Sequence, residues 1–97
     1  MIELRLTESA RLELVELWAY LADEAGESVA DGQMDRLFAS LETLQQFPEI
    51  GRLRPELRPA VRSYLVKPWV IFYRHDTKAL TILHAVHGSR DLPRLFE

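Results

Sequence analysis

The chain contains no cysteine, which excludes disulfides and thiolate metal sites and suits a reducing compartment. Long apolar runs are missing as well. No stretch approaches the roughly 18 uninterrupted apolar residues of a membrane span. The opening Met1-Ile2-Glu3-Leu4-Arg5-Leu6 lacks the basic stretch and apolar run of a secretion signal, so a cytoplasmic location is expected. Glycine is scarce, at four residues, and none forms a phosphate-cradling motif or a nucleophile elbow. His75, His84 and His87 have no cysteine or paired carboxylate beside them at ligand spacing, so neither metal nor cofactor is expected. Internal repeats and low-complexity stretches are also lacking.

What is present describes one globular unit spanning residues 1–97, with 47% hydrophobic and 28% charged residues. The net charge of −3 hides a division. Residues 1–49 hold eleven acids against Arg5, Arg11 and Arg36, a balance of −8, whereas residues 50–97 hold nine bases against four acids, a balance of +5. Such polarity points to an acidic partner for the second half, either nucleic acid or an acidic peptide; two differently charged solvated faces would give the same numbers.

Residues 2–6 alternate Ile2, Leu4 and Leu6 with Glu3 and Arg5, the period of a strand with one buried face. Thr7 can cap a helix whose apolar stripe is Ala10, Leu14, Leu17, Trp18, Leu21 and Ala25, and which ends near Gly26. Ser28 and Asp31 have capping-box spacing for a second helix, whose stripe is Ala30, Met34, Leu37, Phe38, Leu41 and Leu44. Pro48 and Gly51 close it. The short connection makes the pair an antiparallel hairpin. Residues 49–60 read as irregular, because Pro55 and Pro59 remove donors and bias their predecessors away from helix. Strands are expected at 61–66, 69–74 and 79–86, separated by Lys67-Pro68 and by the polar turn 75–78. The fold class is therefore α+β in the order β-α-α-β-β-β. The helical hairpin packs on one face of a small, largely antiparallel sheet, with residues 2–6 beside the last strand.

Three fragments of the second half are distinctive: Val61-Arg62-Ser63-Tyr64, Ile71-Phe72-Tyr73-Arg74, and Ile82 through Val86 followed by His87-Gly88-Ser89-Arg90-Asp91. With Leu44-x-x-Phe47-Pro48-x-x-Gly51-Arg52 upstream, they resemble toxins of the RelE/ParE superfamily, on the ParE branch, along essentially the whole chain. The resemblance implies the toxin of a type II toxin–antitoxin pair, a role in plasmid stabilisation, and a ParD-like antitoxin that wraps and neutralises it in a hetero-oligomer. It also implies DNA gyrase as the target. The RelE branch instead cuts mRNA on the ribosome, and the shared fold does not choose between the two.

Ribonucleolysis needs a base, an acid and cations around the phosphate. Arg62, His87 and Arg90 are the candidates for that chemistry. The ribonuclease branch, however, commonly places a tyrosine shortly after the tail arginine, where this chain has Asp91, Leu92 and Pro93. The loop that often carries lysines there has Arg52, Arg54 and Arg58, which keep the charge but are poor proton donors. The reading adopted is a non-enzymatic poison. Arg62, Arg90, Leu95 and Phe96 are its expected target contacts, and Arg52, Arg54 and Arg58 are expected to meet the antitoxin. The rivals are an mRNA endonuclease and a member that binds antitoxin but has lost toxicity. Bland readings stand beside these: Arg62 paired with a carboxylate on a strand's solvent face, Arg90–Asp91 as a local ion pair, and His87 as a strand-end histidine. His84, alternating with Ile82 and Val86, is expected on their face as a satisfied, partly buried histidine. Trp18 and Trp69 are expected as core or interface anchors.

Overall fold

The computed structural model describes residues 1–88 and 92–96. Strand β1 (Glu3–Leu6) leads into helices α1 (Glu8–Ala25) and α2 (Glu27–Gln46). Strands β2 (Arg52–Leu53), β3 (Arg62–Val66), β4 (Trp69–His75) and β5 (Ala79–His87) follow, and a 3-10 turn (Leu92–Phe96) ends the chain. The five strands form one sheet in the order β1-β5-β4-β3-β2. β1 lies parallel to β5 and the other pairs are antiparallel.

Thr7 caps α1, its Oγ1 accepting the Ala10 N–H at 3.1 Å. Gly26, at φ 96°, is the whole joint between the helices. Its N–H bonds to Ala22 O, and its own carbonyl accepts from Ala30 N. Only glycine adopts that backbone without steric cost, so one residue reverses the chain. This corrects the capping-box expectation. Ser28 makes no cap, because the helix has already begun at Glu27, and Asp31 instead accepts from Trp18 Nε1 across the hairpin at 2.9 Å.

Ala10, Leu14, Leu37, Leu41 and Leu44 meet Val66, Trp69, Ile71, Tyr73, Leu80, Ile82 and Ala85 in the main core, with Leu17, Leu21 and Met34 at its margin. Three positions expected to be buried are exposed, the first being Leu6 at the end of β1. Ala25 is exposed at the last turn of α1, and Phe38, one step round α2 from Leu37, is 43% exposed on the hairpin's outer side. The opposite face of the sheet carries a smaller cluster of Val61, Val70, Phe72 and Val86 beneath Leu57, Leu83, Leu95 and Phe96. The tail therefore docks on its own sheet.

Within the segment read as irregular, the two residues of β2 pair with β3, Arg52 opposite Ser63 and Leu53 opposite Arg62. Neither proline falls inside this strand, so nothing prevents the pairing. A second departure concerns β5. Phe72 faces His84 but Tyr73 faces Ile82, so Leu83 is an extra residue in the strand. This bulge flips the alternation. Ile82 points to the helices and Val86 away from them, so His84 does not share a face with both, as simple alternation required.

Candidate functional site

The chain between α2 and β2 is tied to the sheet by two polar side chains. Tyr73, fully buried, donates its hydroxyl hydrogen to Pro48 O at 2.7 Å and accepts the Gly51 N–H at 2.9 Å. Burial raises the pKa of this phenol above its ordinary value, the Gly51 N–H opposing the shift. Arg62 Nη1 donates to Glu49 O at 2.9 Å and to Gly51 O at 2.8 Å. The pairing with a carboxylate is thus corrected: this guanidinium holds backbone carbonyls, which have no other charge to meet. Gly51 is required here, because a Cβ would collide with the Tyr73 ring, whose Cε1 would lie 2.7 Å away.

The upper edge of β5 is closed by α1. β1 stops at Leu6, opposite Ile82, while β5 continues to His87. Thr7 N donates to Ile82 O, Thr7 Oγ1 donates to Leu83 O at 2.9 Å, and Glu13 Oε1 accepts from Ala85 N at 3.1 Å. The N-terminal turns of α1 thereby stand in for a missing strand. Glu13 also meets His84, with Nδ1 3.0 Å from Oε2, and both side chains are largely buried at 13% and 15% exposure. His84 is satisfied and partly buried, as its sequence setting suggested. Its ring also packs edge-on against Phe96 at 5.2 Å.

The arginines divide between the two faces. Arg62 is opposite Tyr73 and so stands on the helix side, while Arg52 is in line with Ser63 and Phe72 on the other. Arg54 pairs with Glu56 at 2.8 Å, bonds Ser63 Oγ and lies 6.0 Å over the Phe72 ring. That contact holds the Glu56 carboxyl below its ordinary pKa. Arg58 clasps the tail, donating from Nε and Nη2 to Phe96 O at 3.2 and 2.8 Å. Leu95 and Phe96 are half-buried on the smaller cluster. Arg90 and Asp91 lie outside the described residues. His87 sits opposite Trp69, their rings 5.5 Å apart and nearly perpendicular. Arg62 and His87 are thus not brought together. They flank opposite ends of β4, four residues apart, about 13 Å at the rise of a strand.

Two further features frame this region. Phe47, Ile50 and Leu53 are at least half exposed, Leu53 standing opposite Arg62. Beyond the two residues of β2, the outer edge of β3 at Tyr64–Val66 has no strand partner among the described residues.

Residues 4–92 match the family described as the ParE toxin of the type II toxin–antitoxin system parDE. The chain belongs to the ParE toxin family. It is 35% identical over 72 residues to toxin ParE3 of Caulobacter vibrioides, covering 74% of this chain and 72% of that one. Its fold is similar to a structure titled as the chromosomal ParDE TA system from P. aeruginosa, with a TM-score of 0.76 at 25% identity, over 90% of this chain and 96% of that one. This ParE toxin is thus the toxin component of a type II toxin–antitoxin system, and the RelE/ParE resemblance is confirmed at the level of family and fold. Among the described residues no helix is long and apolar enough to cross a membrane. No cluster of His, Asp and Glu there could hold a metal ion.

Glu13 and Tyr73 escaped the sequence reading. Glu13 had a signal: it sits three residues after Ala10 and four before Leu17, an acid on the buried side of its helix. Tyr73 lay inside an apolar strand run, where nothing distinguishes a phenol that anchors a loop from one that fills space.

Proposed function

We propose that this ParE toxin poisons DNA gyrase by binding it, without catalysing a reaction, and that a ParD-like antitoxin holds it inactive in a hetero-oligomer. The observation that carries the reading is the ParE match along nearly the whole chain. The geometry supports the non-catalytic part. Of the groups that a nuclease would use, Arg62 is already committed to two backbone carbonyls of the loop. Arg62 and His87 stand too far apart to act on one phosphate.

The antitoxin part is supported by surface chemistry. An acidic segment laid along Arg52, Arg54 and Arg58 would meet charge complementarity. The open edge of β3 offers main-chain donors and acceptors to an added strand. Arg62, Leu95, Phe96 and Arg90 are the proposed target contacts, Arg62 acting by fixing the loop that presents Arg52.

The test is supercoiling of relaxed plasmid by purified gyrase in the presence of the toxin. Blocked supercoiling and accumulation of linear DNA are expected, both reversed by the product of the neighbouring gene. Cutting of mRNA on ribosomes with gyrase untouched would replace this reading by the endonuclease. Absence of a growth defect on expression without the neighbouring gene would instead mark a toxin that has lost its activity.

A further inference from the structure

The sheet face turned away from the helices gathers positive charge. The cross-strand register places Arg5, Thr81 and Arg74 in one row and Arg52, Ser63 and Phe72 in another. The acids near these rows are already engaged: Glu3 with Arg5 at 3.0 Å, Glu56 with Arg54, and Asp76, which also feels Arg5, with the N–H groups of Lys78 and Ala79. Arg74 is exposed and has no hydrogen-bond or ion-pair partner among the described residues.

Beside Arg74 a cleft of about 190 Å³ opens, lined in part by Thr7, Ser9, Arg58, His84 and Phe96. Its floor is apolar, with Val61, Leu83 and Leu95, and its polar lining is cationic or donor-bearing. Arg58 is held in place by Phe96 O, and Ser9 adds an exposed hydroxyl. The first turn of α1 adds backbone N–H groups. Thr7 already accepts from Ala10 N and Arg11 N, so the amide of Ser9, a residue that lines the cleft, is left without an intrahelical acceptor. The guanidinium groups of Arg58 and Arg74 and the Ser9 hydroxyl line one small cavity beside the first turn of α1, and no carboxylate lines it among the described residues. That set suits a tetrahedral oxyanion.

We propose that this cleft binds a backbone phosphate of DNA, so that the toxin touches nucleic acid as well as its protein target. The choice of DNA rests on the gyrase reading; the anion chemistry does not. Arg52 on the same face gives a neighbouring phosphate a further cation, which suits a strand of repeating charge better than a single carboxylate. Antitoxin lying across Arg52 and Arg58 would compete for the same face.

The experiment is fluorescence anisotropy of a short labelled DNA duplex titrated with purified toxin over a range of salt. Binding that weakens steeply with salt is expected. Arg74→Ala is expected to reduce the salt slope by about 1. Arg74→Glu is expected to weaken binding roughly tenfold or more. Ser9→Asp provides a second variant, because an acid in the first helical turn favours the helix while repelling phosphate. It should weaken binding with no fall in melting temperature. Three results overturn the proposal: no DNA binding by the wild type, binding unchanged in Arg74→Glu and Ser9→Asp, or equal competition by polyglutamate at matched charge. Gyrase poisoning by a toxin that fails to bind DNA would sink this inference and leave the proposed function standing. DNA binding without gyrase poisoning would do the reverse.

Discussion

The two faces of the sheet are closed by different means. On one, a helical hairpin contributes five residues to a twelve-residue buried cluster, fixed at its ends by Tyr73, Arg62, Thr7 and Glu13. On the other, four buried residues pack, among the described residues, against Leu57, Leu83 and the tail residues Leu95 and Phe96, with Arg54 over the Phe72 ring. Charge divides along the same line. The hairpin, residues 8–46, holds nine acids against Arg11 and Arg36, while the far face presents Arg5, Arg52, Arg54 and Arg74. Stability is concentrated where the hairpin packs, because apolar burial is the dominant favourable term in folding. The thinly covered face is the one we propose to present its side chains to other molecules.

This comparison can be broken most easily at Gly51. Gly51→Ala drives a methyl into the Tyr73 ring, which is locked between Pro48 and the core, and should cost about 3 kcal/mol in urea unfolding. A loss below about 1 kcal/mol would mean that the loop is not pinned to the helix-side core. Tyr73→Phe comes next. It leaves the Gly51 N–H and Pro48 C=O unpaired, for a loss of about 2 kcal/mol. The raised phenol pKa adds an alkaline signature. The folded state keeps the Tyr73 proton above pH 10.0, the ordinary value, while the unfolded state releases it. This contribution is therefore fully present below pH 10.0 and lost as pH rises through the folded value; the phenylalanine variant should lack that limb.

Thr7→Ala should cost about 1 kcal/mol by thermal melting. It removes both the cap on Ala10 N and the bond to Leu83 O. The smallest effect is expected at the β4–β5 turn. The N–H groups of Lys78 and Ala79 both donate to Asp76 Oδ1 at 2.8 Å and hold that carboxyl below its ordinary 3.8. The unfolded chain binds this proton more tightly, so the stabilisation is present above pH 3.8 and drains as pH falls through the lower folded value. Asp76→Asn should flatten that acid limb slightly, with Glu8 and Glu56, also lowered, accounting for what remains.

Element order, the hairpin and the neighbour of β1 were legible because each rests on a period: two for strands, three to four for helices. Gly26 and Thr7 were legible as punctuation. The two-residue β2 was not, since nothing periodic fits into Arg52–Leu53 and its pairing depends on where β3 lies. The bulge at Leu83 was hidden for a related reason. An extra residue leaves the composition of a strand unchanged while exchanging its faces. For the candidate site, charge could be counted, but whether an arginine is already occupied could not. Arg62 and Arg74 look alike in sequence, yet one grips two carbonyls and the other stands unengaged. Ser9, more than sixty residues from Arg74 in the chain, could be joined to it only by the fold.

The most direct test of a building face and a contacting face is gyrase inhibition by two charge-reversed toxins, Glu42→Arg on the hairpin and Arg74→Glu on the open sheet face. Both residues are exposed, so melting temperatures should match the wild type. Glu42→Arg should still block supercoiling and Arg74→Glu should not; the opposite pattern, with both proteins folded, would contradict the assignment of the two faces.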